Sequence, residues 1–120
     1  MVLAASGCGA DGPSVSFVSP RDGAVTQAPV RVEMATDGIR IVRAGPVAPE
    51  SGHFHVMVDV GCVKEGTVIP VAANGYWHFG HAERVGELPL EPGRHTLCLQ
   101  VGDGVHVARG ETDVVTITVR

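Results

Sequence analysis

The chain has 120 residues, 44% of them hydrophobic and 18% charged, with a formal net charge of −4. That length suits one domain with a core of its own, and the composition is globular rather than disordered. The nine lysines and arginines are scattered, so the phosphate-neutralising patch that nucleic-acid binding needs is missing and no nucleic-acid partner is expected. No apolar run reaches the ~18 residues of a membrane-spanning helix.

The chain opens on "MVLAASGC", small apolar residues leading to Cys8. This resembles the end of a bacterial lipoprotein signal, in which a small-residue box precedes a cysteine that becomes lipidated and anchors the protein to a membrane. Ala5 stands where leucine is usual, and no basic or long apolar segment comes before it. The competing reading is a flexible tether with a chance cysteine. Either way residues 1–12 are expected to lie outside the domain, which would occupy 13–120. "GCGADG" at 7–12 has the letters of a dinucleotide fingerprint, but it follows no strand and opens no helix, so it carries no such site.

From there two-residue alternation dominates. Val15 and Phe17 alternate with serines, and "VRVEMA" sets Val30, Val32 and Met34 against Arg31 and Glu33. Ile39 and Ile41 continue the style after an Asp-Gly turn. "HFHVMVDV" alternates from His53 to Val60, and Val68 and Ile69 suggest a short strand. Val85, Leu88 and Leu90 precede the turn sequence "EPG". His95, Leu97, Leu99 and Val101 then alternate with Thr96, Cys98 and Gln100, "GDG" turns the chain, and Val115, Ile117 and Val119 close it. No window has a 3.6-residue apolar period. The expectation is an all-β protein, an antiparallel immunoglobulin-like β-sandwich of seven to eight strands. Residues 43–52 and 70–82 are the longer irregular stretches, and loops of that length are often functional.

Six histidines are unusual in a chain of this size: His53, His55, His78, His81, His95 and His106. Residues two apart on a strand share a face, so His53 and His55 should stand side by side, with Met57 and Asp59 further along. Imidazole is the commonest protein ligand for copper and zinc. The candidate metal ligands are His53, His55, His78, His95 and His106. Asp59, Glu83 and Asp103 could complete or orient the shell, and the thioether of Met57 tilts the choice toward copper. The parity of His95 conflicts with this set, because it alternates with Leu97 and Leu99 on what should be the core face. A shared site would then need a sheet edge or a bulge.

Cys62 and Cys98 remain. In an exported protein such a pair favours a disulfide, and the alternative is two separate core residues.

These residues together resemble a family of small secreted bacterial domains, domain of unknown function 4399. A G-H-x-H strand ending in aspartate is matched by Gly52, His53, His55 and Asp59. An H-F-G segment followed by glutamate is matched by His78, Phe79, Gly80 and Glu83. A third segment is matched by Gly93, His95, Leu97, Leu99, Gly102, Asp103 and His106, and an S-P-x-D-G turn by Ser19 to Gly23. Phe54 stands where the family usually has another histidine, His81-Ala82 replaces a more usual polar pair, and the two cysteines are not family features. The resemblance implies export and a β-sandwich, and it implies no activity.

Three functions compete at this point. The first is an extracytoplasmic domain binding copper or zinc through the histidine cluster. The second is a non-metal binding or structural module whose histidines hold loops by hydrogen bonds. The third is a hydrolytic enzyme using a pair such as His78 and Glu83, which no nucleophile or cofactor motif accompanies.

Overall fold

Alternation along the strands decides which side chains enter the core, and the computed structural model, which describes residues 12–120, follows it closely. Nine strands form: β1 (Ser14–Ser19), β2 (Val25–Thr26), β3 (Val30–Asp37), β4 (Arg40–Ile41), β5 (Ser51–Val58), β6 (Tyr76–His78), β7 (Val85–Leu88), β8 (Gly93–Gly102) and β9 (Ala108–Val119). The described residues contain no helix. One sheet has the order β1-β3-β7, and the larger one runs β2-β9-β8-β5-β4 with β6 added beside β5. The fold is the expected all-β sandwich, with one strand more than the upper count. The extra elements are short: β2 and β4 have two residues each and pair in parallel with β9 and β5, so the larger sheet is mixed. Val68 and Ile69 do not make a strand; Val68 forms only a single bridge to Val107.

The main core lies between the sheets. Val15 and Phe17 of β1, Val30, Val32 and Met34 of β3, and Leu88 of β7 meet Phe54, Val56, Leu97, Leu99, Val101, Val115 and Ile117 of the larger sheet. Each is the member of its alternating pair that the sequence marks as apolar.

The other face of the larger sheet is buried as well. Every residue of β5 is buried, where a half-wet strand would alternate. Residues 60–72 run across that face as a strap. Cys62 is disulfide-bonded to Cys98 of β8, with Cα atoms 5.5 Å apart. Next along, the fully buried Gln100 amide receives Val63 N–H at 2.9 Å and donates to Val63 O at 2.8 Å and Arg109 O at 2.9 Å. Gly66 N–H donates to Ala108 O, Ala108 N–H to Thr67 O, and Ile69 N–H to His106 O. Under the strap Met57, Ile69, Cys98 and Ala108 form a second, smaller core.

The disulfide closes a loop with a sequence separation of 36, which by chain entropy stabilises the domain by about 4 kcal/mol. The Cys62→Ser/Cys98→Ser variant is expected to lose about 3–4 kcal/mol in urea unfolding, and an unchanged midpoint would refute that contribution.

Candidate functional site

His53 and His55 project from β5 away from the main core, onto the face the strap covers. The two residues are 0% and 1% exposed. The register sets what surrounds them. His55 lies between Gln100 of β8 and His78 of β6, and His53 lies opposite Gly102. Partners across a ladder point to the same side of the sheet, so the His78 ring joins the pair.

The fourth ring comes from the β8–β9 hairpin. Asp103 organises that turn: its Oδ1 accepts Val105 N–H at 2.9 Å and Val107 N–H at 3.0 Å, and its carbonyl accepts His106 N–H. His106 has φ of 71°, a left-handed conformation uncommon outside glycine. The turn aims its ring at His53 and His78.

Four imidazoles therefore converge. His78 Nε2 lies 3.1 Å from His53 Nε2 and 3.1 Å from His106 Nε2. Donor nitrogens of His53, His55 and His78 all lie within 4.8 Å of one another. His106 attaches through its contact with His78, and its ring is farthest from His55. Two glycines make room. A Cβ on Gly102 would sit 2.9 Å from His55 Nε2, and one on Gly80 would sit 2.5 Å from the His78 ring.

The protonation chemistry of the cluster is incomplete on its own. His53 Nδ1 and both nitrogens of His55 are buried without a hydrogen-bond partner, at a usual cost of ~1–3 kcal/mol each. His78 Nε2 contacts two other nitrogens but offers a single proton or a single lone pair in the ring plane, so it cannot serve both contacts well. Burial, then the neighbouring imidazoles, lower the pKa of His53 to about 4 and that of His55 to about 2. Burial and His106 also lower that of His78. His53, His55 and His78 are held neutral, with lone pairs free for an electrophile.

His95 does not join them, and the expectation that it would is corrected. It lies seven residues before Gly102 on β8, ~23 Å away along the strand. Its register partner is Ile117 at the far end of the sandwich. There His95 Nδ1 donates to Asp59 Oδ2 at 2.6 Å and Nε2 to Glu91 O at 2.7 Å. Two acceptors on one ring favour the imidazolium, and the Asp59 hydrogen bond, then the Glu91 carbonyl, raise its pKa. Asp59 also accepts Thr96 N–H at 2.8 Å. It thus ties the β5 end to β8 and has no part in the histidine cluster.

The other supporting residues also move. Met57 is on the predicted face but sits in the small core with Ile69, Cys98 and Ala108, which removes the thioether argument for copper. Asp103 acts by shaping the His106 turn. Glu83 accepts His81 N–H at 2.8 Å and lies 3.8 Å from His81 Nδ1. The His78–Glu83 pair expected of an enzyme is therefore not hydrogen-bonded. His81 is largely exposed. Gln100 is a structural residue with no role assigned from the sequence; its signal is a polar residue in phase with Cys98 in the apolar half of β8. Cys8 lies outside the described residues.

A family model described as domain of unknown function (DUF4399) matches residues 32–120. The chain belongs to this family. The match takes in all four clustered histidines of the DUF4399 domain, and it leaves out the Ser19–Gly23 turn. No curated protein and no solved structure matches the chain. The disulfide is compatible with an extracytoplasmic location.

Proposed function

We propose that this domain is an extracytoplasmic metal-binding module that takes one copper or zinc ion between His53, His55, His78 and His106. The observation that carries the reading is the convergence of imidazole nitrogens, with His78 Nε2 3.1 Å from both His53 Nε2 and His106 Nε2 and both nitrogens of the buried His55 without a partner. At metal–nitrogen bonds of ~2.05 Å, nitrogens 3.1 Å apart subtend about 100° at the ion. One cation would take a lone pair from His53, His55 and His78, and His106 completes the shell by turning its ring toward the ion. Gly102 supports the same reading, since its missing side chain is what lets the His55 ring lie against β8 and join the cluster. Hydrogen bonding that merely holds loops together accounts less well for His55, whose two nitrogens have no partner.

Protein purified without a histidine tag and loaded with zinc or copper is expected to retain one ion per chain through dialysis. The His53→Ala/His55→Ala variant is expected to retain none while keeping its β-sheet circular dichroism. Equal retention by both proteins would defeat the proposal.

A further inference from the structure

We infer that the four imidazoles form a tetrahedral shell that accepts a d10 cation, Zn(II) or Cu(I), and discriminates against Cu(II). The inference rests on the metal-binding reading above and concerns which ion that site selects. The six distances between ring centroids carry it. They are 4.7 Å for His53–His55, 4.9 Å for His53–His78 and 5.0 Å for His53–His106. They are 5.0 Å for His55–His78, 5.7 Å for His55–His106 and 4.8 Å for His78–His106. An imidazole centroid stands ~3.2 Å from an ion bound at ~2.05 Å, so a regular tetrahedron puts all six separations near ~5.2 Å. A square plane would instead give four separations of ~4.5 Å and two of ~6.4 Å. The observed set has five separations of 4.7–5.0 Å and a single longer one of 5.7 Å, which lies nearer the tetrahedral pattern than the square-planar one.

The scaffold holds that shape. His53 and His55 are fixed by β5, and His78 by its ladder partnership with His55. Flattening the shell would require β6 to slide against β5 or the Asp103-bound turn to unwind. Such a frame costs a d10 ion nothing, since it has no ligand-field preference. Cu(II) prefers tetragonal nitrogen sites and ordinarily binds them more tightly than Zn(II) does, so a rigid tetrahedron removes much of that advantage. All four donors are imidazole nitrogens, which suit both d10 ions.

The full chain loaded with zinc is to be titrated with Cu(II), and separately with Cu(I) held by a competing chelator under reductant. Zinc release and the Cu(II) electron paramagnetic resonance spectrum are followed, and a Co(II)-loaded sample reports geometry. The expected result is a Cu(II)/Zn(II) affinity ratio within about tenfold, together with the intense visible bands of tetrahedral Co(II). Stoichiometric displacement of zinc by Cu(I) identifies Cu(I) as the preferred d10 ion, and retention of zinc identifies Zn(II). Ready displacement by Cu(II) with an axial, tetragonal spectrum overturns this inference and leaves metal binding standing. Failure to bind any of the ions overturns both.

Discussion

Saturating zinc is expected to raise the melting temperature of this domain by about 12–16 °C, and a chelator to reverse the gain. An ion that binds only the folded state at about a thousand times its dissociation constant stabilises by ~4 kcal/mol. For a domain of this size each kcal/mol is worth about 3–4 °C. The gain should be large because the ligands are already assembled: His53 and His55 are fully buried on a strand, and His78 is fixed by pairing with it. Little ordering remains to oppose binding, and the ion also gives one nitrogen of His55 the partner it lacks. The half-buried ligands provide the control. His78→Ala and His106→Ala remove a ligand each without opening a cavity in the main core. Both are expected to fold and to keep less than ~4 °C of the zinc-dependent increment. Differential scanning fluorimetry with and without zinc reads the result, and an equal increment in His78→Ala would show that the ion binds elsewhere.

How far the sequence went is visible in particular residues. The sandwich was legible because alternation reports directly on which face of a strand is apolar. Phe54, Val56, Leu97 and Leu99 all point where alternation put them. The H-x-H pair was legible by the same rule. His95 misled because nearness in sequence to a turn says nothing about which end of a ten-residue strand a side chain occupies. Its parity with Leu97 was the better guide. That the outer face of β5 is buried could not be read from β5, since its cover is the strap of residues 60–72 over Met57 and the His78 and His106 rings over His53 and His55. The cover depends on Gln100 and the Cys62–Cys98 bond, contacts made across 37 and 36 positions. His106 owes its place to a left-handed backbone and to the Asp103 carboxylate, neither of which leaves a periodic trace.

Acid is expected to unfold the metal-free protein well above the pH at which ordinary carboxylates titrate. His53 and His55 have folded-state pKa values of about 4 and about 2, against 6.5 in the unfolded chain. The cause is burial first and the neighbouring imidazoles second. Below pH 6.5 the unfolded state therefore binds protons that the folded state refuses, and stability falls as the pH falls. The full contribution is present above the unfolded value. Each group removes ~1.4 kcal/mol per pH unit inside its window. Between pH 6.5 and 4.5 the two together remove about 5 kcal/mol, comparable to the whole stability of many small domains. His95 works in the opposite sense. Its raised pKa, set by Asp59 and then Glu91, makes its clamp strongest below 6.5 and loses it as the pH rises through the folded value. It can therefore offset only part of the acid loss. With a chelator present, the melting temperature should fall steeply from pH 6.5 to 4.5, and His55→Leu, which has nothing to protonate, should flatten about half of that slope. Zinc should move the transition to lower pH, since the bound ion competes with protons for the same nitrogens. A metal-free melting temperature that stays level down to pH 4.5 would mean that the imidazoles accept protons inside the fold, and the dry, neutral cluster on which the site depends would have to be given up.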